Sequence, residues 1–152
     1  MQDSILDVLN RRRMCRDFTA ESVSASSLDR ILGAALGAPA AGNTHGLDLL
    51  VLRGSQTSLY WDVTLPQSQR EGFRWPGLLD APVLVLPYVY PQAYLDRYSE
   101  ADKARSGLGG DPADWAVPYW FVDGGAAVMS MLTAAEALGL GMDEVVAGIA
   151  AE

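Results

Sequence analysis

One cysteine, one histidine and few basic residues are present, and each scarcity removes a class of function. Cys15 alone allows no internal disulfide, so a reducing compartment is the default. A single thiol and a single imidazole, His45, cannot assemble the usual Cys/His zinc set. Eleven Lys and Arg stand against nineteen Asp and Glu, for a net charge of −8. That balance argues against nucleic acid, whose binding sites present extended basic faces. The N-terminal MQDSILDVLN carries two acids and no long apolar run, which excludes a secretory signal. The most apolar segment, residues 117–141, is broken by Asp123 and Glu136 and diluted by glycines, which predicts a buried helix and no membrane span. GLGGDPAD lacks the Lys-Ser/Thr ending of a phosphate loop, and no dinucleotide fingerprint follows a strand. The acids Asp143 and Glu144 read as solvated surface. The expected protein is soluble and cytoplasmic.

What is present is a globular composition: 152 residues, 49% hydrophobic and 20% charged, enough for a single domain over residues 1–152. The scarce positive charge is concentrated. In RRRMCRDF, residues 11–18, Arg11, Arg12, Arg13 and Arg16 supply four of the eleven basic groups. Their mutual repulsion needs an offset, either the chain's own carboxylates and helix-end carbonyls or a small bound anion. A phosphate monoester, with three acceptor oxygens, matches guanidinium forks through paired charge-assisted bonds. Spacing alone leaves both readings open.

Around this cluster, helical and extended patterns alternate. Asp3 or Ser4 caps a short helix with Ile5, Leu6 and Leu9 on one face, and the arginines follow at its C-terminal end, where cations are favoured. Ser26 or Ser27 caps a second helix whose Leu28, Ile31, Leu32, Ala35 and Leu36 repeat at helical spacing until Pro39. APAAGNTHG, residues 38–46, is a loop leading into a strand at 47–53. Residues 54–80 are weakly patterned, with turns at 54–58 and a short helix over 67–74. The apolar run 81–89 predicts a strand buried on both faces. Pro91 opens a further helix, 107–115 is loop, and a long helix follows, with Gly139 and Gly141 available to end it. The class is α+β or α/β with a buried central helix.

Three segments, RRMCRDF, APAAGNTHG and YWFVDGGAAVMSMLTAAEALGLG, resemble in order and spacing the nitroreductase family of FMN-dependent oxidoreductases. The corresponding family patterns look like R-R-S-x-R-x-F, A-P-S-x-x-N-x-Q and a long central helix ending A-L-G-L-G. The resemblance implies an α+β fold, an antiparallel or mixed sheet flanked by helices around a long buried helix, and a homodimer. It also implies two-electron transfer from NAD(P)H through FMN to a nitroaromatic, quinone or similar acceptor. Carried over by position, it puts Arg12, Arg13 and Arg16 at the FMN phosphate and ribityl chain. Met14 stands where the family has Ser, so only its backbone contributes. Ala40, Ala41 and Asn43 would line the isoalloxazine edge, reached from the partner subunit, with His45 in the place of Gln. No catalytic side chain and no metal are implied, because the cofactor carries the chemistry. Family members continue past A-L-G-L-G with a segment that helps close the flavin site, so the chain reads as a C-terminally shortened member. The alternative is a weakly flavin-binding or non-catalytic remnant that serves as an interaction module.

Overall fold

Ser4 starts the first helix, α1 (Ile5–Arg11), through a reciprocal capping box with Asp7 in a computed structural model that describes residues 4–142. Asp143 and Glu144 lie outside the described residues. The second helix, α2 (Ala25–Leu36), is capped by Ser24, whose hydroxyl accepts from the Ser27 amide, so the cap lies two to three residues before the expected serine. Leu28, Ile31 and Ala35 form its buried stripe, while Leu36 points to solvent. In α1 only Val8 is buried; Ile5, Leu6 and Leu9 stay exposed.

Strands β1 (Leu47–Arg53) and β2 (Val83–Val89) pair antiparallel, with Leu47 opposite Val89 and Arg53 opposite Val83. Between them lie α3 (Gln56–Thr64), α4 (Gln67–Arg70) and a 3-10 turn at Pro76–Asp80. After β2 come α5 (Pro91–Tyr98) and the long α6 (Tyr119–Ala137). Among the described residues the sheet has these two strands.

Side-chain alternation puts one sheet face against α2 and α6. Leu47, Leu49 and Val85 pack there with Ile31, Ala127, Met131 and Ala135. The other face, with Leu52 and Leu84, packs against Trp61, Leu78 and Ala81. Both faces are covered, which is why β2 is apolar throughout. A third cluster, Tyr94, Leu95, Trp115 and Trp120, fills the space between α5 and the start of α6.

Two further contacts fix α6. Gly124 faces inward, where a Cβ would lie 2.7 Å from Val89 Cγ1. At the far end Gly139 adopts φ 73°, and the amides of Gly139 and Leu140 donate to the carbonyls of Glu136 and Ala135. That pairing is a Schellman C-cap. The outer face of α6 is not covered: Phe121, Val122 and Met129 are exposed, with open space around Gly125. The central helix is therefore buried along one side by this chain. No helix among the described residues is long and apolar enough to cross a membrane.

Candidate functional site

The arginine segment leaves α1 in extended form along the C-terminal end of α6. Arg11 Nε donates to Glu136 Oε1 at 2.7 Å, so one arginine of the cluster is offset by the chain's own acid. Arg13 Nη1 donates to the carbonyls of Asn10 and Arg12 at 2.9 and 2.8 Å, and Arg12 Nη1 lies 3.4 Å from Met14 Sδ. Among the described residues neither Arg12 nor Arg13 pairs with a carboxylate. Met14 bridges to Met142, and the Cys15 amide donates to the Met142 carbonyl at 3.1 Å. Further on, Phe18 N–H donates to Gly77 O at 3.2 Å. Within this run Arg16 points away from its neighbours. Arg16 lies 4.9 Å from the Trp75 ring, which also has Arg74 at 5.1 Å, whereas Cys15 and Asp17 face a cavity of about 540 Å³. Phe18, Ile31, Leu84 and Leu140 also line that cavity, and none of the eight residues singled out by the resemblance does.

The second segment, residues 38–46, forms a tight turn at the other end of α6. Gly42 and Asn43 both take left-handed backbone, φ 66° and 55°. Asn43 and His45 are exposed, Ala40 and Ala41 half-buried. The turn is closed by Asn43 N–H to Ala40 O at 2.9 Å and by the buried Thr44, whose hydroxyl donates to Ala41 O at 2.6 Å. Asp123 Oδ2 on α6 accepts from the Ala41 amide at 2.7 Å and from the Tyr94 hydroxyl at 2.8 Å. Burial first, and then the Asp123 carboxylate, push the Tyr94 phenol above its ordinary range, so it remains a donor at neutral pH. From the opposite side Arg97 Nε donates to Gly42 O at 2.8 Å, while its two terminal nitrogens fork onto Asp102 at 2.8 Å each.

The structure thus brings Arg12, Arg13, Met14 and Arg16 together at one end of α6 and Ala40, Ala41, Asn43 and His45 at the other. Their anchors on the helix, Glu136 and Asp123, are thirteen residues apart, about 20 Å at the helical rise. Sequence reasoning missed Asp123 and Arg97, and it considered Tyr94 only as one of five aromatic residues, with Trp61, Trp75, Tyr98 and Trp115, that could flank an acceptor, assigning none. The available signal was a lone acid in an apolar helix, since a half-buried carboxylate requires donors. Of those five aromatic residues, Trp75 alone is exposed. No group of three or more His, Cys, Asp or Glu among the described residues is placed to hold a metal ion.

The family model described as Nitroreductase family matches residues 9–142. The chain belongs to the nitroreductase family. That match spans both motif segments and the whole of α6, and it places the protein in a class of oxidoreductases. Solved structures agree on the α+β fold. A Lactococcus lactis nitroreductase, CinD, in complex with nicotinic acid superposes with TM-score 0.70 at 22% identity, over 91% of this chain and 71% of that one. NfrA2 from B. megaterium gives 0.64 at 20%, over 90% and 52%. A Desulfitobacterium hafniense nitroreductase with bound FMN gives 0.59 at 21%, over 91% and 68%. The chain therefore spans between about half and seven tenths of the length of these three proteins. No curated protein sequence matches it.

Proposed function

We propose that this single-domain chain is an FMN-dependent oxidoreductase whose flavin site is shared between two copies. The observation that carries the reading is the separation of the two motif segments to opposite ends of α6, with an exposed apolar stripe, Phe121, Val122, Gly125 and Met129, between them. Two copies of α6 running antiparallel across that stripe bring the arginine segment of one chain to the turn of the other. The stripe is then covered, and Ile5, Leu6 and Leu9 of α1 offer further apolar surface for the same association.

The donor chemistry fits the cofactor. Arg12 and Arg13 are cations without an acid partner among the described residues of an acidic chain, and a phosphate dianion supplies the missing charge. Arg16 completes that set near the ribityl chain, and Met14 offers its backbone. In the other copy, Asn43 presents an exposed amide to the ring edge, beside Ala40, Ala41 and His45. FMN, when bound, supplies two-electron transfer from NAD(P)H to an acceptor such as a nitroaromatic or a quinone. The residues themselves bind and orient: guanidinium groups fix the phosphate, and the turn sets the ring edge against a surface from which the paired helices exclude water.

Titration of flavin fluorescence tests the reading. Arg12→Ala weakens FMN binding by about 1.5 to 3 kcal/mol, the range for a charged hydrogen bond. Arg53→Ala, on β1 and outside both segments, leaves it unchanged. Equal losses in the two variants return the arginines to a helix-end role. A protein that stays colourless with added FMN is the remnant.

A further inference from the structure

The turn at residues 40–45 places two consecutive residues, Gly42 and Asn43, in left-handed backbone. Gly adopts this region freely and Asn more readily than other residues with a side chain, so the local sequence suits the turn. Its surroundings fix where the turn sits. Three side chains from two helices do so here. Asp123 takes the Ala41 amide, Tyr94 donates to the same carboxylate oxygen, and Arg97 takes the Gly42 carbonyl. Tyr94, Arg97 and Tyr98 lie on one side of α5, and the turn sits directly on them. A Cβ at Gly42 would lie 2.8 Å from the Tyr98 ring, and one at Gly46 would lie 2.6 Å from the Tyr94 ring. The turn is thus seated from below by rings and gripped on both flanks by charged groups.

We infer that Asp123, with Tyr94 and Arg97, positions the turn so that the exposed Asn43 meets the flavin of the other copy. The inference rests on the flavin reading above for what Asn43 contacts. None of the three touches the reacting atoms; they act through the backbone of residues 41–43. Asp123 is specified chemically, because it must accept two hydrogen bonds at one oxygen inside a half-buried site. An apolar residue there removes the acceptor that the Ala41 N–H and the Tyr94 O–H share.

Two readouts on the full chain test this. In the ligand-free protein, Asp123→Ala speeds amide hydrogen exchange at Asn43 and Thr44 by about tenfold or more, while the β1–β2 ladder keeps its protection. Asp123→Asn, whose amide oxygen still accepts, restores most of the protection. In FMN titration, Asp123→Ala lowers affinity about tenfold, and Asp123→Ala/Asn43→Ala loses no more than the larger single loss, because the acid acts through Asn43. If Asp123→Ala does not fold, Arg97→Met frees the Gly42 carbonyl from the other flank and carries the same comparison. Additive losses, or a loosened turn with unchanged FMN affinity, overturn the positioning role and leave the flavin reading standing. A wild-type protein that keeps its turn protected and binds no FMN overturns both.

Discussion

Asp102 grips Arg97 with both carboxylate oxygens, and that fork holds its carboxyl at about 2, below the ordinary 3.8. The sign follows from the depressed value. The contact contributes while pH stays above the unfolded carboxyl range near 4, and is lost as pH falls toward 2. Because Arg97 also holds Gly42 O, the turn should loosen across that window. The protection factor of the Asn43 amide, the ratio of its intrinsic to its observed exchange rate at each pH, is expected to fall between pH 4 and 2, and Asp102→Asn at neutral pH to show the lowered protection already. Unchanged protection in both would detach the ion pair from the turn. At this scale the sequence revealed the arginine cluster but not its division. Arg11 is answered by Glu136, 125 positions away, and local spacing carries no information about such a partner. Asp123 and Glu136 registered only as interruptions of an apolar segment. They are the residues that tie the two ends of α6 to the two motif segments.

Elements were more legible where burial is periodic or continuous. The strand at 47–53 has its expected bounds, and the run at 81–89 contains β2. Residues 56–64 read as turn followed by weak pattern, yet they form α3, because only Thr57 and Trp61 are buried and no stripe marks a helix. For α2, Ser22, Ser24, Ser26 and Ser27 all offer capping hydroxyls, and composition does not choose among them. The two adjacent glycines of α6 give an element-scale prediction. Gly124→Ala presses a methyl against Val89 and costs about 1 to 3 kcal/mol by overpacking, offset in part by about 1 kcal/mol of helix propensity. Its melting temperature is expected to fall at any protein concentration. Gly125→Leu meets open space within the chain and leaves the fold intact, but fills the outer stripe. Sedimentation is then expected to show monomer or irregular aggregate. An unchanged dimer would remove the stripe from the interface.

For the whole molecule, order along the chain identified the family, whereas the distribution of the site in space was visible only once α6 separated its motifs. No pattern in a single sequence says that the two segments meet opposite ends of one helix, at acids about 20 Å apart along it, since that follows from the contacts of Arg11 with Glu136 and of Ala41 with Asp123. The central claim is that the arginines of one copy work with the turn of another. Mixing two defective chains, differently tagged so that the mixed dimer can be purified, tests it most directly. Arg12→Ala and Asn43→Ala homodimers should each bind FMN about tenfold or more weaker than wild type. In their mixed dimer a shared site leaves one pocket with both residues intact and the other with both lost, so wild-type affinity should return at one site per dimer. If every site in the mixed dimer stays as weak as the parent homodimers, each chain carries its own complete site and the shared arrangement is wrong.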